Sequence, residues 1–122
     1  MPEITQEIRV TGRLQIELPA ITKPGISVVV PSFGRLRLLE NLLRTLARER
    51  NALAVSSEVI VSDSSPEHLI PAVKRLCDSF LARYLCSRSR HPAVSRNDGF
   101  RAAAHPVILF VDSDCEAQPG LL

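Results

Sequence analysis

From Ile26 onward, short apolar runs alternate with segments of helical period, and that alternation restricts the fold more than any other feature of the sequence. Ile26-Ser-Val-Val-Val30, Glu58-Val-Ile-Val61, Arg83-Tyr-Leu-Cys86 and Val107-Ile-Leu-Phe-Val111 read as four strands, short and rich in β-branched and aromatic residues. The last of them reads as buried on both faces, as parallel-sheet strands usually are. Between the first two, Leu39, Leu42, Leu43 and Leu46 fall at i, i+3, i+4 and i+7. They form one apolar stripe of a helix, with Arg37, Glu40, Arg44 and Arg48 largely off it. Pro66 suits the first turn of a second helix capped by Ser65, with Leu69, Ile70, Val73, Leu76, Cys77, Phe80 and Leu81 as its buried face. A third, Ala-rich helix is expected within residues 93–104. Strand and helix thus alternate through four strands, which predicts an α/β domain with a parallel sheet and right-handed crossovers. The expected strand order is 3-2-1-4. The reversal beside strand 1 opens a crevice at the carboxyl ends of strands 1 and 4, where open α/β sheets bind ligands.

The polar strand ends collect at that crevice. Pro31-Ser-Phe-Gly-Arg35 follows strand 1, Asp63 follows strand 2, and Asp112-Ser113-Asp114 follows strand 4. Two carboxylates two residues apart can turn to one side, and hard oxygen donors of this kind suit Mg²⁺ or Mn²⁺ when a substrate phosphate completes the shell. An ordinary polar turn would also be built from Asp and Ser. A helix start near Ser95 would add Arg96 and backbone amides, which together with the carboxylate pair make a diphosphate site. Neither G-x-G-x-x-G nor G-x-x-x-x-G-K-[ST] occurs, against a dinucleotide enzyme or a P-loop NTPase.

The 122 residues suffice for one domain or part of one, and a hydrophobic content of 45% supplies a core. A net charge of +2 gives no case for nucleic acid. Arg83, Arg88, Arg90, Arg96 and Arg101 crowd one region with His91, as a positive rim for a phosphorylated ligand or as a solvated surface. Three cysteines without C-x-x-C spacing fit a reducing compartment. Cys77 reads as a core thiol and Cys115 as a packing residue. No apolar run approaches the roughly 18 residues of a membrane span, and the N-terminus lacks a secretory pattern, so a cytoplasmic protein is expected. Residues 1–25 stand apart: Ile8, Val10, Leu14, Ile16 and Leu18 keep period 2, which predicts an extended segment or a hairpin bent near Thr11-Gly12.

Four stretches in order carry a family resemblance: Ile26 to Arg35, Glu58 to Ser65, Pro92-Ala-Val-Ser-Arg-Asn-Asp-Gly99, and Ile108 to Cys115. The region from Ile26 to Leu122 resembles the nucleotide-sugar-binding half of a family 2 glycosyltransferase with the GT-A fold, a Rossmann-like three-layer sandwich. The resemblance implies transfer of a sugar from a nucleotide diphosphate sugar, a UDP-sugar being the first choice, to an acceptor. It further implies that Pro31, Ser32, Phe33 and Arg35 line the base pocket, that Asp63 hydrogen-bonds the base, and that Arg96 lies near the nucleotide. Asp112 and Ser113 would then face the donor, and Asp112 and Asp114 would hold a divalent cation, Mg²⁺ or Mn²⁺. Gly34 departs from the Asn frequent in the family, and Ser64-Ser65-Pro66 from the usual Asp-Gly-Ser.

The same resemblance places the general base of the acceptor half beyond Leu122. The expectation is therefore two parts, an extension over 1–25 and an incomplete GT-A domain over 26–122 cut after strand 4. Such a chain would transfer little sugar alone and would self-associate through its open sheet. The alternatives are a non-catalytic or vestigial nucleotide-binding fragment that needs another segment or chain, and a nucleotidyltransferase, whose Gly-rich loop after strand 1 is not seen.

Overall fold

A computed structural model describes residues 9–10, 16–17, 25–89 and 91–122. Two short strands, β1 (Arg9–Val10) and β2 (Ile16–Glu17), pair antiparallel; the bend expected at Thr11-Gly12 and most of the extension lie outside the described residues. The main sheet is built from β3 (Ile26–Ser32), β4 (Ser57–Asp63), β5 (Arg83–Cys86) and β6 (Val107–Phe110). All its pairings are parallel and its order is β5-β4-β3-β6, the expected 3-2-1-4.

Helices α1 (Leu36–Ala52) and α2 (Ile70–Ser79) cover one face and α3 (Pro92–Ala102) the other. The alternation of β3 and β4 explains the division. Val28, Val30, Val59 and Val61 point toward α1 and α2 and form one core with Leu39, Leu42, Leu43, Leu46, Val73 and Cys77, all essentially inaccessible. Each such aliphatic side chain contributes roughly 1.5–3 kcal/mol by leaving water. Val29 takes the opposite face, where Gly99 of α3 comes so close that a Cβ there would collide with Val29 Cγ1. The Ala- and Gly-containing sequence of α3 is what permits this approach.

Three details of the sequence reading change. Val107–Phe110 forms an edge strand among the described residues, with Val107 and Phe110 each more than 40% exposed, because β3 pairs with one side of it only. Pro66 does not open α2: a 3₁₀ turn, Glu67–Leu69, intervenes, and Ser65 turns back toward Asp63 instead of capping a helix. Leu81 lies beyond the helix with φ 56° and is 82% exposed, outside the buried face expected to include it.

A polar clamp ties the amino ends of the strands together. Glu58 Oε2 accepts from Ser27 Oγ at 2.6 Å and from the Ala104 amide at 2.6 Å, while Oε1 accepts from Arg83 at 2.7 Å. Arg83 also donates to the Ala102 carbonyl. It therefore lies at the opposite end of the sheet from the crevice, and the positive rim expected from the arginine cluster is divided between the two ends.

Candidate cavity at the carboxyl ends of the strands

The strand order dictates where an open space must lie. The β3–α1 connection leaves toward one face and the β6 end lies beside it, so the two loops diverge above Ser32 and Phe110. A cavity of about 550 Å³ opens there, lined by the β3 end and its loop (Pro31, Ser32, Phe33, Arg35), by Ser64 after β4, by Pro92, Ser95 and Arg96 of α3, and by Asp112, Ser113 and Asp114. Every residue expected at the site lines this space except Asp63.

Asp63 is 1% exposed and turned away from it. Its Oδ1 accepts from Ser65 Oγ at 2.6 Å and from the Ser65 amide at 3.2 Å, and its Oδ2 accepts from Tyr84 Oη at 3.0 Å. Period 2 through Val59 and Val61 carries Asp63 to the side of α2, not upward into the crevice. Burial, with the Asp63 carboxylate beside it, holds the Tyr84 hydroxyl well above its usual range, so it stays a donor. Ser65 Oγ accepts the Gly34 amide at 2.8 Å. Asp63 thus reaches the cavity through the loop that Ser65 holds, where Gly34 and Arg35 are both left-handed, at φ 66° and 51°. A non-glycine residue in that region is costly by roughly 1 kcal/mol or more, so the anchorage of Gly34 matters.

The two carboxylates of Asp112-Ser-Asp114 stand on a turn closed by the Cys115 amide donating to the Asp112 carbonyl at 3.1 Å. Residues beyond the turn run back along α1: the Ala117 amide donates to Thr45 Oγ1 and the Gly120 amide to Glu49 Oε1, both at 2.8 Å, with Ala117 buried. This fastening was not foreseen. Each carboxylate meets an arginine from another wall: Arg96 to Asp112 Oδ1 at 3.0 Å, and Arg35 to Asp114 Oδ2 at 3.9 Å. Cys115 is exposed, not packed as expected. Its thiol is nevertheless held above its ordinary range by desolvation and by the Asp114 and Asp112 carboxylates, so it is a poor nucleophile. All three cysteines are free; burial pushes the Cys77 thiol up to about 12, as suits a core residue.

The helix start also differs from expectation. Because α3 begins at Pro92, the amides of Val94 and Ser95 both donate to the His91 carbonyl. The wall at Ser95 is instead made of hydroxyls, which sequence reasoning missed. Ser64 Oγ donates to the Ser89 carbonyl at 2.6 Å and lies 3.0 Å from Ser95 Oγ. Ser95 Oγ donates to Ser87 Oγ at 3.3 Å, and Ser87 Oγ to Asp98 Oδ2 at 2.8 Å. Small polar residues at a strand end and in a helix first turn, both facing the same crevice, are the signal that could have found them.

Among the described residues no group of three or more His, Cys, Asp and Glu side chains is arranged to hold a metal. Asp112 and Asp114 supply hard carboxylate oxygens on one turn, which fits a hard divalent cation that takes its remaining ligands from phosphate and water.

Comparison with known proteins agrees with this architecture. Residues 27–122 match the model of Glycosyl transferase family 2. Over 98 residues the chain is 33% identical to Validoxylamine A glucosyltransferase of Streptomyces hygroscopicus subsp. jinggangensis (strain 5008) and 32% identical to that of subsp. limoneus, covering 79% of this chain. It spans 23% and 22% of their lengths. The crystal structure of S. aureus TarS superposes with a TM-score of 0.59 at 25% identity, over 74% of this chain and 16% of that one. TarS 1-349 in complex with UDP superposes with a TM-score of 0.60 at 25% identity, over 74% and 27%. The sheet order, the position of the crevice and the match over 27–122 give one conclusion: the chain belongs to glycosyl transferase family 2, in the GT-A fold.

Proposed function

We propose that the cavity is the donor site of a sugar-transfer centre, taking a nucleotide diphosphate sugar, with a UDP-sugar as first choice, together with Mg²⁺ or Mn²⁺. The observation that carries this reading is the convergence of Arg35, Arg96, Asp112 and Asp114 on one 550 Å³ space at the carboxyl ends of β3 and β6. A diphosphate needs cationic donors, and its counter-cation needs hard oxygen; the cavity holds both within a few ångströms. A UDP complex of TarS and the glucosyl transfer named for the two Streptomyces relatives support the same substrate class.

In this reading Arg96 and Arg35 bind the diphosphate oxygens, Asp112 and Asp114 hold the cation, and Pro31, Ser32 and Phe33 form the wall beside the base. Ser64 lines the same wall, with the buried Ser95 hydroxyl 3.0 Å behind it. The cation, when bound, neutralises charge gathering on the departing nucleoside diphosphate. The acceptor oxygen attacks the anomeric carbon as the bond to the diphosphate oxygen breaks, and the acceptor proton passes to a base. In this reading both carboxylates that line the cavity are taken up by the cation, so neither is free to accept that proton. The same observation favours a second reading of this stretch, as a nucleotide-binding part without transfer activity of its own.

Titration calorimetry with UDP and Mn²⁺ on wild type and Asp114→Ala tests the site. Mn²⁺-dependent binding that the substitution weakens tenfold or more is expected; binding that is independent of metal and indifferent to the substitution rejects it.

A further inference from the structure

The carboxylates proposed to hold the cation are already in use. Arg96 crosses from α3 to Asp112, and Arg35 crosses from the β3–α1 loop to Asp114, so each metal-facing side chain is met by a guanidinium from a different wall. These are the four charged residues that line the cavity, two of each sign, and together they are neutral. Both ion pairs are substantially open to solvent, with side-chain exposures from 40% to 63%, which makes each of them weak and readily exchanged.

We propose that Arg35 and Arg96 act as exchange partners that make cation and diphosphate bind as one neutral unit: both guanidiniums leave the carboxylates for the phosphates only when a divalent cation replaces them. The inference rests on the donor-site reading above and adds a coupling to it. A divalent cation arriving alone must displace two guanidiniums and then sit beside them, an uncompensated like-charge contact. A diphosphate arriving alone draws the arginines across but leaves two bare carboxylates next to its own negative charge. When both arrive, every charge changes partner and none is left over. Each ligand therefore raises the affinity for the other by the same factor, as linkage requires. The geometry of Arg35 supports the role. Arg35 follows Gly34, whose amide Ser65 holds, and its exposed guanidinium stands 3.9 Å from Asp114, a loose pair. Arg96, at 3.0 Å, is the tighter of the two and the better probe.

The consequence has a sign opposite to that of an ordinary ligand residue. Removing Arg96 should weaken nucleotide binding yet strengthen binding of the cation alone. The test is a Mn²⁺ titration of the 122-residue chain on wild type, Arg96→Ala and Arg96→Lys, reading free Mn²⁺ by its electron paramagnetic resonance signal against a protein-free Mn²⁺–UDP blank, with UDP uptake followed by equilibrium dialysis with and without Mn²⁺. Wild type is expected to bind Mn²⁺ weakly alone and at least about tenfold more tightly with UDP, at the lower end of typical couplings. Arg96→Ala should bind Mn²⁺ alone about three- to tenfold more tightly than wild type and gain little from UDP. Arg96→Lys, which keeps the charge, should behave like wild type toward Mn²⁺ alone. If wild type takes up UDP with Mn²⁺ while Arg96→Ala binds Mn²⁺ alone no more tightly than wild type, the exchange is overturned and the donor site stands. If wild type takes up no UDP with or without Mn²⁺, the donor site itself is rejected and the exchange with it.

Discussion

Ser65 illustrates how one side chain can decide the shape of a site it does not line. Its hydroxyl donates to the buried Asp63 carboxylate at 2.6 Å and accepts the Gly34 amide at 2.8 Å, joining the end of β4 to the loop after β3. Truncation to alanine leaves the Gly34 amide without this partner and takes one of three hydrogen bonds from a carboxylate that is 1% exposed. A loss near a buried charge of this kind is worth about 1–3 kcal/mol. Ser65→Ala is therefore expected to lower unfolding stability by about 2 kcal/mol in urea titration. The Gly34 amide should exchange with solvent faster, measured by hydrogen exchange, by more than the amides of β3. Equal exchange at Gly34 in the two proteins would mean that the loop is held by other contacts. The sequence showed that Asp63 ends a strand. Its inward direction could have been read from Val59 and Val61, but its partners Tyr84 and Ser65 are set by the pairing of β4 with β5 and by a turn, neither of which is local.

At the scale of elements, the strands were legible because most are short β-branched runs and the first two crossovers carry helical stripes, while their order followed from the usual layout of parallel sheets. Ends were less so. Helix α2 closes with the Ala82 amide donating to the Cys77 carbonyl at 2.8 Å and the Leu81 amide to Asp78 at 3.3 Å, the paired bonds of a Schellman cap. The left-handed position of that cap is filled by Leu81, φ 56°, where glycine is the usual residue. A Leu at i+4 from Cys77 looks like a continuation of the apolar stripe, and nothing local says that the helix has already ended. Since Leu81 is 82% exposed, it stabilises little by burial while bearing the cost of its backbone. Leu81→Gly is expected to stabilise the protein by about 0.5–1 kcal/mol, seen as a higher urea midpoint with an unchanged slope. A lower midpoint would show that the Leu81 side chain is packed in solution. Helix α3 shows a related ambiguity. Pro92 starts it three residues before Ser95, so Arg96 stands in the second turn and reaches Asp112 from the side.

The main sheet has two unlike ends, one open at the cavity where the exchange is proposed and one clamped shut. The open end carries exposed ion pairs on loops, while the closed end gathers β3, β4, β5 and the α3–β6 connection around one carboxylate, Glu58. Burial alone would raise the Glu58 pKa, but hydrogen bonds from Ser27, the Ala104 amide and Arg83, with the Arg83 charge, outweigh it and hold the group below its ordinary value. A carboxylate with a lowered folded pKa contributes stability that is complete above the unfolded pKa, about 4.3, and is lost as pH falls through the folded value. Glu58→Gln keeps an acceptor but loses the charge and the titration. It is expected to cost about 1–2 kcal/mol at pH 7 in urea unfolding, from charge-assisted bonds reduced to neutral ones. The difference between the two proteins should shrink as pH is lowered from 5 toward 3, since protonated Glu58 resembles glutamine in charge and shape. Parallel stability curves over that range would place the acid-sensitive group elsewhere. The register of β3 against β4 and β6 is carried by backbone pairing along both ladders, not by the Glu58 charge, and those ladders run on to the end where Arg35, Arg96 and the aspartates stand. Glu58→Gln should therefore leave Mn²⁺-dependent UDP binding within about threefold of wild type wherever the chain is folded. Loss of binding in folded protein would show that the two ends are coupled more tightly than one parallel sheet requires.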